Sequence, residues 1–87
     1  MKVGVRIMYK AIIIDDEPWT IIDIEKTFSL EDMGFEIVGS YRTPQKALPA
    51  IISKKPDLVI TDIRMPGMTG MELIKSVRSQ KINCEFI

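Results

Sequence analysis

Residues 56–70 read PDLVITDIRMPGMTG. Leu58, Val59 and Ile60 have the look of a strand interior, yet Asp62 follows almost at once and a Met-Pro-Gly turn comes directly after it. A carboxylate buried without a partner is costly, so Asp62 must reach solvent, meet a cation or take part in chemistry. Short apolar runs of this kind belong to strands covered on both faces. Downstream, Thr69 and Glu72 form the T-x-x-E pattern that opens helices, and Leu73, Ile74 and Val77 carry an apolar stripe to about Ser79.

The same alternation extends upstream. Tyr9–Ile14 (YKAIII) is a β-branched run that ends in Asp15, Asp16, Glu17 and Pro18. Proline suits the first helical position and an acid before it suits the cap. Ile21, Ile24 and Phe28 then share a helical face that should end near Ser29 or Leu30. A turn at Gly34 leads into a second strand, Phe35–Tyr41, read as alternating. Thr43-Pro44 starts a second helix with Ala47, Leu48, Ile51 and Ile52 as its stripe. Pro49 conflicts with it, since an interior proline costs about 3 kcal/mol, and a kink or a later helix start is expected there. The final CEFI starts a fourth strand. A β-α-β-α-β-α-β order predicts an α/β fold with a mostly parallel sheet covered by helices on both faces, its ligand site at the carboxyl ends of the strands.

If the first and third strands are neighbours, Asp15, Asp16 and Asp62 converge at that end. Like charges so close require a cation, and oxygen ligands select a hard one, most naturally Mg²⁺. Each acid alone reads as a solvated loop residue or a helix cap. The combination, at the ends of alternating strands, is what points to a site. Glu17 reads as a residue complementing the helix dipole rather than a ligand.

The whole composition narrows the chemistry. The 87 residues suffice for one small domain, 46% hydrophobic and 28% charged. Twelve basic and twelve acidic residues give a net charge of zero, which argues against a nucleic-acid footprint in this chain. No run approaches the roughly 20 apolar residues of a membrane span. The absence of histidine removes Ser-His and Cys-His catalysis. The single cysteine, Cys84, reads as a small buried hydrophobe and fits a reducing, cytoplasmic setting. Trp19 reads as a packing residue at the helix start, with gating of the acidic pocket as the alternative. The six methionines read as gap-filling core and loop residues.

IIIDDEP followed by KPDLVITDIRMPGMTGMELI resembles the receiver domain of two-component response regulators, from about Tyr9 to Ile87. EDMGFEIVGSYRTPQKAL looks like the subgroup that precedes a helix-turn-helix output of the arabinose-regulator type. The resemblance implies a three-layer flavodoxin-like sheet with strand order 2-1-3-4. It implies Asp62 as phosphoacceptor, and Mg²⁺ held by Asp15, Asp16, Asp62 and the backbone carbonyl of Arg64. It implies a sensor histidine kinase as donor. Met65-Pro66 and Gly70 match the loop that leads into the next helix.

Residues 8–87 would then be a partial receiver without its fourth helix, fifth strand and fifth helix, and 1–7 a leader outside the match. The family's hydroxyl and lysine, which bind phosphoryl oxygens, would lie beyond Ile87, so labelling of Asp62 would be slow. A non-catalytic module that binds kinase or regulator partners is the rival reading. The leader's alternation of Val3, Val5 and Ile7 suits an edge strand, a loose terminus, or a start at Met8. A bare fourth strand predicts low monomer stability or self-association through that edge.

Overall fold

The computed structural model describes residues 8–27, 32–62 and 67–87. The leader, Phe28 with the expected helix end at Ser29 or Leu30, and Arg64, Met65 and Pro66 lie outside the described residues. The elements in chain order are β1 (Tyr9–Ile14), α1 (Pro18–Thr27), β2 (Phe35–Tyr41), α2 (Pro44–Lys54), β3 (Leu58–Thr61), α3 (Gly70–Ser79) and β4 (Glu85–Phe86). The strands form one parallel sheet in the predicted order, β2-β1-β3-β4.

Ala11 to Ile14 are all buried because β1 has a strand on each side and helices on each face. Ile12 and Ile14 join Val59 on one face, packed against Ala47 and Ile51 of α2 and Leu73 and Val77 of α3. Ile13 points to the other face and meets Ile21 and Ile24 of α1. Cys84 is buried at the edge of the larger cluster, and that burial pushes its thiol pKa up. At the amino end, Lys10 and Asp57 tie β1 to the start of β3: Lys10 N–H donates to Asp57 Oδ2 and Asp57 N–H to the Lys10 carbonyl, both at 2.8 Å.

Sheet pairing corrects the expected alternation of β2. Ala11 pairs with Ile37 and Ile12 with Gly39, so Val38 is an extra residue in a bulge. Phe35 and Ile37 therefore pack on the α1 face, whereas Tyr41 packs on the α2–α3 face. The Lys54 ammonium donates to the carbonyl of Val38. A Cβ on Gly39 would lie 2.6 Å from the Tyr41 ring, so glycine is what lets Tyr41 fold back over the strand.

The α2 helix runs unbroken from Pro44 to Lys54 through Pro49, without the later start expected from sequence. Pro44 sits in the first turn and Thr43 Oγ1 accepts from Lys46 N–H at 3.2 Å, so the start is firmly capped. The N–H that Pro49 lacks would have met the carbonyl of Gln45, on an exposed residue where water can serve instead. Met71, on α3 and 56% exposed, departs from the reading of the methionines, whereas Met33, equally exposed, lies in the turn before β2 as that reading allows. Among the described residues, no helix is long and apolar enough to cross a membrane.

Candidate metal centre

The ends of β1 and β3 are in register, Ile14 opposite Thr61. Whatever follows these two residues must therefore emerge side by side. Asp62 N–H donates to the Ile14 carbonyl at 3.2 Å, extending the ladder by one rung. On the other flank of β1, Asp15 N–H donates to the Tyr41 carbonyl at 3.0 Å. The Thr61 hydroxyl donates to the Asp62 carbonyl at 3.0 Å. The backbones that carry the acids are thus held by the sheet itself.

One carboxylate oxygen from each of Asp15, Asp16 and Asp62 lies within 4.8 Å of the others. Asp15 is only 9% exposed, and Asp16 and Asp62 are half-buried. Asp15 Oδ1 accepts from Glu17 N–H at 2.9 Å, and the Glu17 carbonyl accepts from Thr20 and Ile21 N–H at 3.0 and 3.4 Å. One side chain thereby fixes the loop that launches α1, and its carboxylate still offers a ligand oxygen to the cluster. An all-oxygen donor set of three carboxylates suits a small hard cation, and Mg²⁺ fits it. Glu17 is exposed and lies just ahead of α1, whose first turn holds no acidic residue.

The start of α3 borders this end of the sheet. Thr69 Oγ1 accepts from Glu72 N–H at 3.2 Å, and Thr69 N–H donates to Glu72 Oε1 at 3.0 Å, a reciprocal cap. The bond from the Thr69 backbone, then that from its side chain, holds the Glu72 carboxyl below its ordinary pKa. Gly67, in the preceding loop, has φ +91°, and the Gln45 side chain lies where a Cβ would go.

Trp19 departs from its expected packing role: it is 74% exposed. Ile21 turns toward the sheet, and a residue two positions earlier on a helix lies on the opposite side. Ile22, 40% exposed, continues that outer face. Sequence reasoning passed over Arg42, whose Nη2 donates to the Asp16 carbonyl at 3.5 Å. The signal was available, because Arg42 directly follows the strand that neighbours β1.

A profile of the response regulator receiver domain matches residues 11–87. The uncharacterized transcriptional regulatory protein YesN of Bacillus subtilis is 36% identical over 80 residues, covering 92% of this chain and 22% of that protein. The probable C4-dicarboxylate response regulator DctR of Halalkalibacterium halodurans is 30% identical, with 92% and 34% covered. Among solved structures, the receiver domain of NarL from Mycobacterium tuberculosis superposes with a TM-score of 0.83 at 28% identity, covering 92% of this chain and 64% of that one. The receiver domain of AraT from Geobacillus stearothermophilus gives 0.83 at 26% identity, with 92% and 62% covered. This chain therefore spans a fifth to a third of those curated relatives and less than two thirds of those receiver structures. The match runs through β1 and β3 and so includes both strand ends that bear the acids: the chain belongs to the response regulator receiver domain family.

Proposed function

We propose that this domain accepts a phosphoryl group on the Asp62 carboxylate, from a phosphohistidine on a sensor kinase, with Mg²⁺ held by Asp15, Asp16 and Asp62. The supporting observation is the convergence of three carboxylate oxygens within 4.8 Å across two neighbouring strand ends, in a chain of this family. The backbone carbonyl of Arg64, outside the described residues, is the further ligand that the family resemblance implies. When bound, Mg²⁺ neutralises carboxylate and phosphoryl charge.

The chain's own part is nucleophilic. An Asp62 oxygen forms the new O–P bond while the donor's N–P bond breaks; the electron pair leaves with the imidazole, which takes a proton from solvent. The rung from Asp62 N–H to Ile14 and the bond from Glu17 N–H to Asp15 keep the acids in place without reorganisation. Trp19 and Ile22 give the kinase an apolar surface on α1, the helix that starts just after Asp15 and Asp16. Such a domain works in the cytoplasm, passing its state to a transcriptional output.

The test is labelling with ³²P-acetyl phosphate, in which acetate replaces imidazole as the leaving group. Label is expected with Mg²⁺, and neither after chelation with EDTA nor in Asp62→Asn. Label that survives in Asp62→Asn, or a wild-type chain that takes up none with Mg²⁺, overturns the proposal. In the second case, retained kinase binding would identify a non-catalytic interaction module.

A further inference from the structure

We infer that Arg42 is a charge-balancing residue at the rim of the acidic site, weakening cation binding while favouring the approach of an anionic phosphoryl donor. The inference rests on the reading of Asp62 as phosphoacceptor. The β2 strand ends at Tyr41 beside the end of β1, and the Asp15 N–H bond to the Tyr41 carbonyl locks the two ends together. Arg42, the next residue, is exposed and reaches across to the Asp16 carbonyl, with Nη2 at 3.5 Å. A guanidinium has five N–H donors, and a single long bond to one carbonyl leaves the group free to meet an arriving anion.

The charges decide the direction. Three ionised carboxylates with one divalent cation leave a site of net negative charge, and acetyl phosphate and phosphohistidine are both anionic. A fixed cation on the rim offsets that repulsion at encounter. The same cation repels Mg²⁺. The two effects have opposite signs, and this separates the proposal from a merely structural role. If Arg42 only pinned the Asp16 backbone, its loss would loosen the ligand loop and weaken both metal binding and labelling.

The experiment compares wild type, Arg42→Gln and Arg42→Lys by Mg²⁺ calorimetry and by initial labelling rate with acetyl phosphate at saturating Mg²⁺. Gln removes the charge, and its amide nitrogen, two bonds short of Nη2, also gives up the bond to the Asp16 carbonyl, so the sign of the change in Mg²⁺ affinity separates the two roles. In Arg42→Gln, Mg²⁺ affinity is expected to rise about two- to fivefold at low ionic strength, and labelling to fall by a similar factor. Both changes should shrink in about 0.5 M salt, which screens exposed charges. Arg42→Lys, which keeps the charge, should stay near wild type in both.

Affinity and rate that fall together in Arg42→Gln, or that match wild type, overturn the role of Arg42 and leave Asp62 labelling intact. Wild type that binds Mg²⁺ without being labelled overturns the phosphoacceptor reading, and the affinity arm still judges the charge argument. Wild type that neither binds nor labels overturns both.

Discussion

Gly67→Ala perturbs the loop between β3 and α3 in two separable ways. With φ at +91°, any residue bearing a Cβ is strained, at a cost of about 1–3 kcal/mol. The new Cβ would also meet the amide end of Gln45, which must swing away. Gln45 is exposed and flexible, so that movement costs about 0.5–1.5 kcal/mol if it leaves a preferred rotamer. The sum, about 1.5–4.5 kcal/mol, is a large share of the roughly 4–13 kcal/mol expected for 87 residues at about 0.05–0.15 kcal/mol each. Urea unfolding followed by far-ultraviolet circular dichroism reads the effect directly. With a slope near 1 kcal/mol/M, the midpoint should fall by about 1.5 M or more. Trp19 is a poor probe here, being solvated already in the folded state. Adding Gln45→Ala removes the steric part only, so the double variant should remain at least about 1 kcal/mol below Gln45→Ala. A Gly67→Ala protein as stable as wild type, or one fully rescued by Gln45→Ala, would refute the backbone argument.

Two further outcomes follow from the α3 cap and from the sheet edge. The folded-state pKa of Glu72 is lowered, so its stabilising effect is complete above the ordinary value of about 4.3 and is lost as pH falls from there through the lower folded value. Glu72→Gln should therefore unfold at lower urea than wild type at pH 7, with the gap narrowing as pH falls below about 4; a gap that does not narrow would count against the cap's charge. Among the described residues β4 has a strand partner on one side only and Ile87 is 75% exposed, so a polypeptide of these 87 residues alone is expected to self-associate through that edge or to be marginally stable as a monomer. Sedimentation equilibrium across a wide concentration range, paired with the urea curve, checks this; a firmly stable monomer at high concentration would contradict it.

Much of the architecture was legible because strands buried on both faces leave a plain signature. YKAIII and FEIVGSY mark β1 and β2 to the residue, and the Thr69–Glu72 pair marks the start of α3. Asp15, Asp16 and Asp62 could be brought together on paper because parallel neighbours deliver their carboxyl ends to one place. What escaped depends on neighbours that arrive from elsewhere in the chain. Periodicity places Ile21 inward, but whether anything covers the far side of α1 is a tertiary fact, and Trp19 proved uncovered. The bulge at Val38 is invisible to a two-residue period, since it is the slip in that period. Arg42 drew no attention because an arginine before a helix cap is ordinary until the strand beside it ends in acids. Pro49 misled because its lost hydrogen bond was counted in full, whereas the carbonyl it leaves is on exposed Gln45, where water can serve.

The central place of β1 has a consequence for how the chain comes to order. Of the described strands, the first made is the one that needs two others: Ala11 waits for Ile37 on one side and for Leu58 on the other. Until β3 has been synthesised, the run from Ala11 to Ile14 is an apolar segment with an open edge, the kind of stretch that pairs with the wrong partner. Both pairings span long separations, so the loop-closure entropy must be met before the contacts stabilise anything. On a ribosome, β1, α1 and β2 can meet early, but the acidic cluster cannot form until Asp62 has been added beside a finished β1. Site assembly is therefore timed by the arrival of β3 and Asp62, and the core closes later, when Leu73 and Val77 of α3 join Ile12, Ile14 and Val59.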